Sequence, residues 1–224
     1  MGATITEEIS REQVQETETR GFAGDIELRE ADGKPAEVFG YALKWGVRYN
    51  VAWFTEEIQR GALDEANISD VRILFNHDPN QIIGRTKSGT AQVGFDETGM
   101  WYRSTIPNSP FGENLKESLK RGDVTQSSWA FSIARDSTGR SIGDQWDIKD
   151  GKEHRIITKV STVYDASPVT YPANPDTTAA KRSLDIFKQE TRQETTDNEG
   201  LAKTYELLAR TLELKQAIYQ HKNT

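Results

Sequence analysis

The chain has no cysteine among its 224 residues, only three histidines and two methionines, and no apolar run long enough to span a bilayer. Without cysteine there is no disulfide, no thiolate metal site and no cysteine nucleophile, and the chain suits a reducing compartment. Three histidines without cysteine offer no obvious zinc set, and no motif calls for a metal or an organic cofactor. Cationic charge is also short, with 28 Lys and Arg against 35 Asp and Glu for a net charge of −7. A phosphate backbone would repel such a chain and no basic patch offsets this, so neither nucleic acid nor membrane is expected as a partner. The first residues lack the basic-then-apolar pattern of a secretory signal. Apolar residues make up 35%, lean for a chain that packs throughout, so part of it should stand outside the core.

What is present falls into zones. Residues 1–20 are polar and rich in Glu and Thr, and read as a mobile or weakly helical arm. Residues 21–180 carry all five tryptophans and all seven prolines and hold the domain. Residues 181–200 are polar again and read as a linker. From Leu201 onward, Leu201, Tyr205, Leu208, Leu212 and Tyr219 mark one stripe of an amphipathic helix within 201–224. Such a stripe needs a partner surface, either its own domain or another molecule. Within the domain the period is mostly two. Ala91, Val93 and Phe95 alternate, Asp96-Glu97-Thr98-Gly99 turns, and MWYRSTI alternates again, giving a hairpin. Further strands are expected over 71–75, 124–133 and 156–163. Ser109-Pro110 opens a helix whose Phe111, Leu115 and Leu119 share a face, and Gly122 closes it. The fold class is mostly β with helices (α+β).

Three short stretches carry chemistry. His77, in FNHDPN, sits where a buried strand ends at an Asp-Pro turn. A rigid histidine facing open space suits a general base, and a loop-capping histidine fits the same residues. In QSSWAFSI, alternation puts Ser127, Trp129, Phe131 and Ile133 on one anchored face and Ser128, Ala130 and Ser132 on the other. The small residues leave room for something to approach Ser128, although a tightly packed strand would look alike. In VSTVYDASPVTYPANPDT, Asp165 ends a β-branched run. There a carboxylate can orient an imidazole, or bond its own backbone in a turn. His154 lies in the polar stretch DGKEHR and His221 in the tail.

Taken in order, EEIQRGAL, ILFNHDPNQIIGRTKSGT, SPFGENLKESLKRGDVTQSSWAF and YDASPVTYPANPDT resemble the prohead (capsid-maturation) serine protease family of tailed bacteriophages, itself similar in fold to the herpesvirus assembly proteases. The resemblance implies a β-barrel surrounded by helices and a serine endopeptidase working without a cofactor. Its nucleophile falls on Ser128, its base on His77 and its acidic third member on Asp165. Where the family usually has Met-Ser-Phe-Gly-Phe, this chain has Ser127-Ser128-Trp129-Ala130-Phe131, so Ser127 is a minor rival nucleophile. The family's usual glutamate is replaced by Asp165, one methylene shorter, so the imidazole must sit closer or a water must bridge. The herpesvirus relatives use a second histidine, which makes His154 the rival third member. The implied substrates are the scaffold segment of the major capsid protein and the chain itself, inside the immature capsid in the host cytoplasm. On that basis 181–200 is a self-cleavage region, and 201–224 a docking tail that could also self-associate. A catalytically inactive scaffolding component with the same fold is the alternative.

Overall fold

In the computed structural model, which describes residues 16–22, 26–171 and 180–192, the alternating segments become strands of three sheets. The largest has the order β1 (Glu18–Phe22), β10 (Gln126–Ile133), β13 (Val160–Val169), β6 (Arg72–Phe75), β7 (Asp78–Arg85). A second runs β11 (Asp144–Lys149), β12 (Lys152–Ile157), β5 (Phe54–Ile58), β4 (Tyr49–Val51). The third runs β2 (Ile26–Arg29), β3 (Glu37–Lys44), β9 (Gly99–Thr105), β8 (Ala91–Phe95). The expected hairpin is β8–β9, with Asp96 Oδ1 accepting the Thr98 and Gly99 N–H groups in its turn.

The mostly β class holds, but the closed barrel does not. The outer strands of the largest sheet, β1 and β7, lie at opposite edges with three strands between them, and no ladder among the described residues joins them. Three open sheets instead share one apolar cluster. Val38, Met100 and Tyr102 come from the third sheet, Ile73, Trp129, Phe131 and Val163 from the first, and Ile58 and Ile157 from the second. At about 2 kcal/mol for each fully buried large apolar side chain, this burial dominates the attraction between the layers. The helix α1 (Pro110–Arg121) adds Leu115 to the cluster. Ser109 caps it by accepting from the Gly112 N–H, and Gly122 ends it in a left-handed conformation at φ 75°, as the sequence indicates.

Two boundaries and the character of one segment differ from the sequence expectation. The line between arm and domain at residue 20 falls inside β1. Glu18 and Arg20, read as part of a polar arm, are buried there. The single strand expected over 156–163 is two strands, because the Thr158 and Lys159 N–H groups both turn aside to the Gly143 carbonyl (2.8 and 3.0 Å). By contact the chain divides into Met1–Ala180 and Lys181–Thr224. Residues 180–192 form a helix, α2, where the first part of the linker was expected. The rest of the linker and the amphipathic stripe at 201–224 lie outside the described residues. No helix among the described residues is long and apolar enough to cross a membrane.

Candidate active site

Ser128 sits on β10 between two neighbours, Gly21 of β1 and Ser167 of β13. Cross-strand partners share a face and alternation repeats it every two residues, so Gln126, Ser128, Ala130, Asp165 and Ser167 line one side of the sheet. Ser127 faces the other side, where its hydroxyl bonds Tyr102 Oη at 2.9 Å. Gly40 makes that contact available, since a Cβ there would stand 2.7 Å from the Tyr102 hydroxyl.

His77 reaches this face from a turn. Phe75 and Asp78 pair as the last rung between β6 and β7, so Asn76 and His77 alone make the connection. Both have positive φ, 55° and 59°, the signature of a type I′ hairpin turn. Asn and His are among the side chains that tolerate this region best. The Asp78-Pro79 pair, expected as the turn, opens β7 instead. Pro79 is harmless there because β7 is an edge strand, with no neighbour among the described residues waiting for its missing N–H. Asn76 then fastens the turn to the end of β13. Its N–H donates to the Pro168 carbonyl (3.1 Å), and its Oδ1 accepts from the Thr170 N–H (2.9 Å) and hydroxyl (3.2 Å).

The ring so held bridges two groups far away in sequence. His77 Nδ1 lies 2.6 Å from Asp165 Oδ1, and Nε2 lies 2.7 Å from Ser128 Oγ. An ionised carboxylate only accepts, so Nδ1 carries the proton and Nε2 is free to accept from the serine. The shorter aspartate makes its contact directly. Ser167 Oγ donates to the same Asp165 Oδ1 at 2.7 Å, and Ser128 Oγ also lies 3.0 Å from the Arg20 carbonyl oxygen of β1. This hydroxyl–imidazole–carboxylate order is the arrangement that transfers acyl groups. The small-residue face is not open along its length, however. Ser128, Ala130 and Ser132 are all buried, while the His77 side chain keeps 20% exposure.

The family model described as Caudovirus prohead serine protease matches residues 24–190. The chain belongs to this family. Among solved structures, the bacteriophage T4 capsid assembly protease, gp21, is similar over 67% of this chain and 96% of its own, at 13% identity and a TM-score of 0.38. No curated protein sequence matches the chain.

In this member of the family the rival residues are engaged elsewhere. His154 lies on β12, buried, with Nδ1 2.8 Å from Thr55 Oγ1. Its Nε2 stands 3.4 Å from a Glu57 oxygen without hydrogen-bond geometry. Burial, with Lys149 nearby, holds its pKa below the usual histidine value. Ser127 is turned away, as above. Missed from sequence were Ser167 and Asn76, whose roles depend on the strand register, and the carbonyl of Arg20.

A buried ionic group flanks the site. Arg20 bonds Glu56 (2.7 and 2.9 Å) and Glu18 (2.6 Å). Arg155 bonds Glu18 (2.7 and 2.9 Å), Glu56 (2.9 Å) and Asp144 (2.7 Å). Burial alone would raise the Glu56 pKa, but the two guanidiniums outweigh it and hold that carboxyl at about 2. The group ties β1 to β5, β11 and β12, and so fixes the strand whose carbonyl meets Ser128.

Proposed function

We propose that this prohead protease is a serine endopeptidase with Ser128 as nucleophile, His77 as general base and Asp165 as the group that orients and neutralises the imidazole. His77 Nε2 takes the Ser128 proton as Oγ attacks the scissile carbonyl, then returns it to the leaving amine. A water, deprotonated by the same nitrogen, attacks the acyl carbon and frees Ser128. Backbone N–H groups would stabilise the oxyanion, each worth roughly 3–4 kcal/mol. None of these steps uses a metal or organic cofactor. The observation that carries this reading is the unbroken chain of contacts from Asp165 Oδ1 through His77 to Ser128 Oγ, at 2.6 and 2.7 Å.

The substrates on this reading are the scaffold segment of the major capsid protein and the chain's own polar segment 181–200, within the immature capsid in the host cytoplasm. The segment 201–224 docks the enzyme there, and self-association through it belongs to the same proposal. The complete burial of Ser128 is the feature that favours the other reading, a scaffolding component that keeps the fold without turnover. Wild type and Ser128→Ala, each mixed with purified capsid protein and followed by intact mass, separate the two. Trimming by the wild type alone supports the enzyme. Trimming by both rejects Ser128, and trimming by neither supports the scaffolding role.

A further inference from the structure

Gln126 lies two residues before Ser128 on the same face of β10, and the register shifts of this strand begin only after Ala130. Unlike Ser128, Ala130 and Ser132, it is partly exposed. Its partner Val169 is followed by Thr170 and by Tyr171, which is 83% exposed. The site therefore opens at the Gln126 end and is closed at the other. On this face the carboxamide oxygen of Gln126, itself without solvent contact, accepts no hydrogen bond from the described residues. A buried polar atom without a partner costs stability, and such groups in native proteins call for an explanation.

We propose that the Gln126 carboxamide is a substrate-binding group that pairs with one peptide unit beside the scissile bond. A carboxamide offers an acceptor and two donors, matching the C=O and N–H of a peptide unit in extended chain. Such a contact recognises backbone, so it favours unfolded segments of any side-chain content and places them on the approach to Ser128. Rotation of the partly exposed Gln126 side chain would bring the unsatisfied oxygen to the peptide, so that it is satisfied only in the complex. This rests on Ser128 being the nucleophile.

The test uses the full chain as wild type, Gln126→Leu, Gln126→Asn and Ser128→Ala. Cleavage of a peptide library from a whole-cell digest reads peptide recognition. Labelling by an alkyl fluorophosphonate, which has no peptide unit, reads Ser128 and His77 alone. Urea midpoints read stability. Gln126→Leu is expected to raise the urea midpoint and to keep fluorophosphonate labelling within about twofold. Its kcat/KM on peptides should fall about tenfold, mostly through KM, which is the scale of one lost hydrogen bond. Gln126→Asn, whose amide is drawn back by one methylene, should show the same split. Unchanged peptide cleavage, a parallel loss of labelling, or a lower urea midpoint in Gln126→Leu each overturns the assignment while leaving Ser128 in place. A wild type that neither labels nor cleaves, or labelling that survives Ser128→Ala, overturns both.

Discussion

Arg155 is the cation on which the buried ionic group depends most, because it bonds three carboxylates, those of Glu18, Glu56 and Asp144, with no solvent contact. Arg155→Met keeps most of the volume and removes the charge, leaving those three carboxylates against Arg20 alone. Breaking a buried ion pair from one side costs about 3–5 kcal/mol, a large part of the roughly 5–15 kcal/mol that holds a domain folded. The pH dependence should reverse sign as well. In the wild type the folded Glu56 carboxyl is depressed from 4.5 to about 2. Its contribution, on the order of 3 kcal/mol, is therefore complete above pH 4.5 and lost as pH falls toward 2. In Arg155→Met, burial acts on the Glu56 carboxyl with one counter-charge fewer, so its folded pKa rises. The folded state then takes up protons first and gains stability as pH falls from 7 to 5. Urea unfolding followed by tryptophan fluorescence at both pH values measures the difference, and Trp146, 5.8 Å from the Arg155 guanidinium, reports locally. A deficit below about 1 kcal/mol at pH 7 would refute the reasoning, since the cost of an uncompensated buried charge would be missing. A deficit equal or larger at pH 5 would refute it too.

Two further perturbations bear on the site. Asp165→Asn should leave the urea midpoint near that of the wild type but slow fluorophosphonate labelling and cleavage by about 10⁴, because the amide favours the wrong imidazole tautomer; a loss under tenfold would remove Asp165 from its orienting role. Asn76→Ala forfeits the hydrogen bonds to Thr170 and places alanine at a positive φ, so a stability loss of about 1–2 kcal/mol is expected. It should be accompanied by slower labelling of Ser128, and a normal labelling rate in a destabilised protein would show that the turn does not position His77.

Local patterns in the sequence translated well wherever the partners were close along the chain. The hairpin at 91–105 and the helix from Ser109 to Gly122 needed only alternation, a polar cap and a glycine, and all are where those residues indicate. The turn at Asn76-His77 was misplaced because Asp-Pro is the stronger turn signal locally, while the pairing of Phe75 with Asp78 is decided by the ladder. The closed barrel came from resemblance and could not be checked against any local pattern, since closure depends on whether two distant edges meet. Glu18 and Arg20 fall in what reads as a mobile or weakly helical arm for a similar reason. Their partners Glu56, Arg155 and Asp144 lie far along the chain, and a window of neighbouring residues sees only an acidic, Thr-rich stretch. His77, Ser128 and Asp165 could be named from their blocks, but alternation alone left each with a bland explanation. The contacts at 2.6 and 2.7 Å are what support the proposed roles.

The placement of Glu18 and Arg20 changes what the N-terminal boundary means for the site. Ser128 Oγ has one proton and two acceptors in reach, His77 Nε2 and the Arg20 carbonyl. On the proposed mechanism only donation to the imidazole readies the oxygen for attack, so β1 competes for the proton that this mechanism needs. Yet β1 brings a carboxylate and a guanidinium together, and these cancel. Without it Arg155 would still bridge Glu56 and Asp144, and the buried group would carry the same net charge. In charge terms, then, the strand beside Ser128 is separable from the core that holds it. The match to the family model, which begins at residue 24, also falls just beyond that strand.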